Sequence, residues 1–347
     1  MSIVLLGLLF APTPAQASLP GIEDYTNERI VPLLISPTSA KADGSGFLYS
    51  PRIVFTSAHT AVTFNSKGEL VDFREELSVG KPNSNVKTSG PGVRVIKRFA
   101  SPGYTANKEG DTNDFAILIL ERDLIAIEPA QLMTPEIEKD LVEKRATVKM
   151  HGYGLHVDLC GPNEKPPCRA KPFDSSLVPR STEATLRPAG DFAQLIPNPI
   201  QPRFANELLF FSPEKTGMCA GDSGGSLTTT YNGKLIYLSN IGTGANTYGC
   251  GLGGGYDGKG GFQHSPQIYK QSELIKQAEK FVSDLLATEQ ATAKTESASE
   301  TKIAAELKAK QETEAAGKKS TITCAKGKSV KKVTAVKPKC PSGFKKK

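Results

Sequence analysis

From about Ile30 to Gly261 the apolar residues come in short β-branched or aromatic runs, RVIKRF, DFAILIL, ATVKM and ELLFF among them, separated by clusters of Gly, Pro, Asn and Ser. Each run can supply one strand, and each cluster can supply the turn to the next. The pattern points to antiparallel β-structure. Asn232-Gly233, inside SLTTTYNGKLIYLSNI, is the strongest short signal for a two-residue hairpin, since both residues tolerate the positive φ that such a turn needs.

The ends of the chain differ from this middle. Residues 272 to 286 place Leu274, Ile275, Ala278, Phe281, Val282 and Leu285 on one stripe, so a single amphipathic helix closes the β-region. After Leu286 the composition shifts to Ala, Thr, Glu and Lys with almost no large apolar residue, which cannot build a core. Residues 287–320 are therefore expected to be a flexible, solvated linker, with helical character near Ile303 to Gln311. Lys318 to Lys347 contain eleven lysines and no acid, so of the chain's net +7 the residues before them carry −4. Residues 321–347, bracketed by Cys324 and Cys340, read as a small basic module.

At the N-terminus the apolar run Ile3 to Phe10 is too short for a membrane span, which takes about 20 residues, and Ala15-Gln16-Ala17 offers small residues for signal-peptide cleavage. Export is expected, with residues 1–17 removed, and a secreted or cell-envelope location follows. Six cysteines fit an oxidising compartment, although six allow about 15 pairings. They fall into three local groups, Cys160 with Cys168, Cys219 with Cys250, and Cys324 with Cys340. None has the spacing of a zinc site or a redox dithiol. No metal or cofactor is expected.

The stretch CAGDSGGSL, Cys219 to Leu227, places Ser223 among glycines. A serine hydroxyl is a poor nucleophile at neutral pH, so chemistry there needs a histidine base, a carboxylate to orient it and donors for an oxyanion. Four histidines are present, His59, His151, His156 and His264, and composition does not choose among them.

Three motifs do. Ser57-Ala58-His59, then Thr112-Asn113-Asp114-Phe115-Ala116-Ile117-Leu118, then Gly221-Asp222-Ser223-Gly224-Gly225 resemble, in order, the signatures of the trypsin-like serine proteases. The resemblance covers about 30–286 and implies an all-β fold of two packed six-stranded antiparallel β-barrels with a C-terminal helix. It makes Ser223 the nucleophile, His59 the general base and then acid, and Asp114 the carboxylate that fixes the imidazole tautomer; Asp111 is a rival for the acid. Gly221 and Ser223 match the oxyanion-hole donors, and Cys219 with Cys250 the disulfide tying the active-site loop to the pocket wall. A histidine base implies activity that falls as pH drops through roughly 6 to 7.

The resemblance also implies a zymogen. Cleavage after Arg29 would release residues 18–29 as a propeptide and create an Ile30 ammonium that pairs with Asp222. Pro32 departs from the family here, since two glycines usually follow Ile-Val. Gly217, with Met218 beside it, matches the pocket floor, and Gly242, Thr243 and Gly244 match its wall. A glycine floor favours an apolar P1 residue; Asp257, if it lines the pocket, favours Arg or Lys. Thr60 replaces the usual cysteine, Tyr153 the usual tryptophan, and the loop with Cys160 and Cys168 is atypical.

Two functional readings follow, an exported serine endopeptidase and a catalytically silent protease-fold protein used for binding or surface adhesion. Expected partners are a protein or peptide substrate, an activating protease and, through the lysine-rich tail, an anionic cell-envelope polymer or surface; nucleic acid is not expected. The tail is similar to short lysine-rich, two-cysteine tails of exported actinobacterial proteins.

Overall fold

The computed structural model describes residues 22–105, 112–154, 177–188, 207–212, 221–242 and 261–347. They form two compact units, divided between Val282 and Ser283.

In the first half of the larger unit, β2 (Ile30–Leu34), β3 (Gly44–Ser50), β4 (Ile53–Thr56), β7 (Ser78–Val79), β8 (Val93–Ala100) and β9 (Ala116–Leu120) close into a barrel, while β5 (Val62–Phe64) and β6 (Leu70–Asp72) pair as a separate two-stranded sheet. The barrel order is β2-β3-β4-β9-β8-β7, antiparallel throughout. The run AILIL of β9 is buried at all five positions because both its faces are covered. Ala116, Leu118 and Leu120 join Val31, Leu48 and Val54 inside the barrel. Ile117 and Ile119 face the other way and pack with Phe47, Phe55 and Phe115 against second-half residues such as Leu227 and Tyr237. Phe47 stacks on Tyr237 with ring centroids 4.4 Å apart, so one continuous core joins the two halves.

The second half is a sheet of β10 (Gln131–Leu132), β11 (Thr147–Gly152), β12 (Arg180–Arg187), β13 (Glu207–Ser212), β14 (Ser226–Tyr231), β15 (Lys234–Asn240) and β16 (Gly261–Pro266), with β1 (Ile22–Glu23) paired to β12. Two six-stranded barrels were expected. Among the described residues only the first closes: the second follows the open path β10-β15-β14-β11-β12-β13-β16, whose ends are not hydrogen-bonded to each other. The hairpin from β14 to β15 turns on Asn232 and Gly233, both at positive φ (50° and 76°).

Helix α2 (Pro135–Glu143) has no counterpart in the sequence expectations. Its start is nonetheless local chemistry: Thr134 caps it by accepting the Ile137 N–H, and Pro135 fills the first turn, where its missing N–H costs nothing. Helix α3 (Ser272–Gly317) begins as the amphipathic element read from the sequence, with Leu274, Ile275 and Ala278 buried. It then runs on through the segment expected to be a flexible linker. No proline and no glycine interrupts Ser272 to Ala316, and the helix-favouring Ala, Glu, Lys and Gln dominate. Its threonines return their hydroxyls to carbonyls four residues back, as Thr292 does to Thr288. No helix among the described residues is long and apolar enough to cross a membrane.

In the smaller unit, β17 (Ser320–Lys326), β18 (Ser329–Ala335) and β19 (Lys345–Lys346) form a three-stranded sheet in the order β18-β17-β19. A Cys324–Cys340 disulfide staples it.

Candidate active site

Strand pairing brings the first two motifs together. β4 and β9 run antiparallel with Thr56 opposite Ala116, so the residues just after β4 meet those just before β9. Ser57 leads into the short helix α1 (Ala58–Ala61), which carries His59. Asp114 meets it with both oxygens: Oδ1 accepts the His59 backbone N–H at 3.0 Å, and Oδ2 lies 2.7 Å from the ring Nδ1. The Asp114 side chain is 2% exposed and that of His59 25%. A buried carboxylate at that distance keeps the proton on Nδ1 and leaves Nε2 as the acceptor, the tautomer a general base needs.

Second-half residues hold this pair in place. Asn240, at the end of β15, donates through Nδ2 to the Asp114 carbonyl and to Ser57 Oγ, each at 2.8 Å. Ser57 Oγ in turn donates to the Ile241 carbonyl at 2.7 Å. Asn113, which takes a positive φ of 51°, gives its N–H to Glu207 Oε1 at 3.1 Å. Glu207 Oε2 lies 3.5 Å from His264 Nδ1, and both side chains are buried. In the sequence His264 is one of four histidines, and no motif marks Glu207 or Asn240.

Ser223 lies in a loop fixed through Ser45 of β3. The Ser45 N–H donates to the Ser223 carbonyl at 2.9 Å. Its Oγ donates to the Gly221 carbonyl at 2.7 Å and accepts the Tyr153 N–H at 2.8 Å. Its carbonyl accepts from Thr56 Oγ1. Ser45 is fully buried, so each of these polar groups needs its partner. Gly224 (φ 82°) packs so tightly that a Cβ there would overlap Thr56 Oγ1 and the Ser45 carbonyl and crowd the Ser57 nitrogen. The residue after Ser223 is thereby seated on the strand end that leads to His59. Gly221 takes a φ of 95°, and among the described residues no hydrogen bond uses its N–H or that of Ser223.

Asp222 turns to the other side. Its Oδ1 accepts the Gly154 N–H at 2.8 Å, and side chains at Gly152 or Gly154 would collide with its carboxylate. Ile30 is an internal residue of β2, fully buried, paired with Phe47 and donating its N–H to the Asn27 carbonyl. Arg29 is clasped by three carbonyls, those of Leu48 and Tyr49 at 3.2 Å and of Glu128 at 2.9 Å. The residues before it are equally engaged. Asn27 donates to Ser226 Oγ, Asp24 accepts from Ser181 Oγ, and β1 pairs Ile22 with Ser181.

Of the expected pocket residues, Gly242 is described; its N–H donates to Ser265 Oγ at 3.3 Å, and a Cβ there would lie 3.6 Å from Asp114 Oδ2. Gly217, Met218, Thr243, Gly244, Asp257 and Asp111 lie outside the described residues, as do Cys160, Cys168, Cys219 and Cys250. Among the described residues no cluster of His, Cys, Asp and Glu is arranged to hold a metal ion.

A protein-family model described as Trypsin matches residues 30–263, about two thirds of the chain. No curated protein matches it.

Proposed function

The chain belongs to the trypsin family of serine proteases, and on that premise we propose that it is an endopeptidase working through His59, Asp114 and Ser223. Members of this family act on proteins or peptides. In the proposed cycle His59 Nε2 takes the Ser223 hydroxyl proton as Oγ attacks the scissile carbonyl carbon. The carbonyl oxygen, now an oxyanion, is received by the N–H groups of Gly221 and Ser223. Protonated His59 then gives its proton to the leaving amine, and water repeats the sequence on the acyl-enzyme. Asp114 holds the ring and stabilises the imidazolium without taking a proton itself.

The observation that carries this reading is the bridging of the His59 N–H and Nδ1 by the buried Asp114 carboxylate. An active-site-directed fluorophosphonate tests it: the wild-type chain should be labelled and Ser223→Ala should not, whereas equal labelling of both would reject the assignment. Nothing among the described residues favours the silent-binder alternative.

Export after removal of residues 1–17, and a secreted or envelope location, belong to the same proposal. An apolar P1 preference rests on Gly217 and yields to Arg or Lys if Asp257 lines the pocket.

Maturation has two readings. In one, an activating protease cuts after Arg29 and the Ile30 ammonium turns in to pair with Asp222. A specific observation favours the other, in which residues 22–29 stay in the working enzyme: Arg29, Asn27 and Asp24 are bonded into the fold, and Asp222 already accepts from Gly154.

A further inference from the structure

The strand register of the C-terminal module sorts its lysines onto two faces. Residues directly opposite in an antiparallel sheet project to the same side. Cys324 lies opposite Lys331 and Lys346. On that side sit the disulfide, the half-buried Ile322 and Val333, and Lys331, whose Nζ lies 5.3 Å above the Phe344 ring. This is the module's small core.

The reverse side has no such cover. Thr323 lies opposite Lys332, and its carbonyl accepts the Lys347 N–H at 2.9 Å, so Lys332, Thr323 and Lys347 form a row across the three strands. Lys345 stands two residues from Lys347 and opposite Ala325. Sheet geometry sets about 10 Å between the outer lysines of the row and about 7 Å between Lys345 and Lys347. All three lysines are exposed, and no acid occurs from Lys318 to Lys347 to neutralise them.

The chemistry of the face narrows its partner. Every cation is a lysine, a compact charge that rewards phosphate without demanding the planar, bidentate geometry of an arginine site. Nucleobases would find no stacking platform, because Phe344 is on the opposite side beneath Lys331. A lipid layer would find little to take up, since the large apolar side chains exposed on the module are only Val330 and Val336. What remains matched is a flexible chain that brings repeated negative charge and nothing else. We propose that the face built by Lys332, Lys345 and Lys347 binds a base-free phosphodiester polymer, of the class in which polyol and phosphate alternate.

Poly(glycerol phosphate) is the probe, with the full chain. Binding at 50 mM NaCl should fall roughly 100-fold or more by 400 mM, because each lysine–phosphate contact releases a counterion. The triple charge reversal K332E/K345E/K347E should lose at least about 100-fold in affinity at 50 mM NaCl, where the electrostatic term dominates. Fluorophosphonate labelling should be unchanged, and the Cys324–Cys340 bond, read by mass under non-reducing conditions, should still form. A second triple variant, K318E/K328E/K339E, changes the net charge equally but at positions outside the three strands and should keep affinity within about fivefold. Equal loss in both variants, no binding by the wild-type chain, or tighter binding to duplex DNA or to phosphatidylglycerol vesicles than to the polymer would overturn the proposal.

Discussion

Glu207 Oε1 accepts the backbone N–H of Asn113 at 3.1 Å, one residue before the carboxylate that grips His59. The two residues are far apart in sequence and on opposite halves of the unit, so the second half sets the position of an acid supplied by the first. Glu207→Ala leaves a partly buried N–H unpaired beside a strained φ and should cost about 1 to 3 kcal/mol of stability. Turnover should fall about tenfold with KM little changed, since that loss corresponds to about 1.4 kcal/mol in the transition state. Glu207→Gln keeps an acceptor and should recover most of the turnover; a Gln variant as poor as Ala would show that the hydrogen bond is not what matters.

Asp114→Asn tests the tautomer argument directly. An amide at this place can donate to Nδ1 and push the proton to Nε2, where it blocks base catalysis. By analogy with other Ser-His-Asp sites the expected loss is about 10⁴-fold in kcat. The melting temperature should move little, and a loss below tenfold would count against Asp114 as the orienting acid.

Ser45→Ala removes the hydroxyl that donates to the Gly221 carbonyl and accepts the Tyr153 N–H. One buried and one part-buried group lose their partner, so a destabilisation of about 1 to 3 kcal/mol is expected. Activity should fall at 25 °C even where the variant is fully folded, because the Gly221 peptide loses its anchor. Steady-state kinetics alongside thermal unfolding separate the two effects.

Acid stability turns on the contact between His151 and Asp24, one of the docked residues 22–29. Burial pushes the His151 imidazole down to about 4, against the pull of Asp24, whose Oδ2 lies 3.3 Å from Nε2. The unfolded chain takes up this proton near pH ~6.5 and the folded chain only near 4. Stability from neutral His151 is therefore complete above the upper value, is lost as pH falls through the window, and amounts to up to about 3 kcal/mol. Burial opposes ionisation of Asp24, yet hydrogen bonds from Ser181, Thr26 and Lys149 hold its carboxyl well below the usual range. Its contribution persists to lower pH and disappears only as that depressed value is reached. Chemical denaturation at pH 7 and pH 4.5 checks the sign: the wild type should weaken between them, and His151→Gln should weaken less.

Maturation is decided by sequencing the N-terminus of the fluorophosphonate-labelled species. Docking of residues 22–29 predicts that the labelled chain still contains Asp24 and Arg29, and that Arg29→Ala is labelled as readily as wild type. A labelled species beginning at Ile30 would establish cleavage after Arg29 instead.

The sequence by itself determined the β-character, the Asn232-Gly233 turn and the expectation that His59, Asp114 and Ser223 act together, because each is written in a short contiguous motif. It also carried the start of α3, where an apolar stripe repeats at the helical period. The same stripe criterion led away from the helix after Leu286, where propensity without burial maintains it. Only the tertiary structure decided that Ser45 seats the Ser223 loop, that Asn240 and Glu207 brace the acid, and that three backbone carbonyls hold Arg29. Those are hydrogen bonds between residues distant along the chain, as from Ser45 to Gly221, and such contacts impose no period and no local composition. They arise where two strands already held by the core bring donor and acceptor within reach, a condition that exists only after the halves have packed.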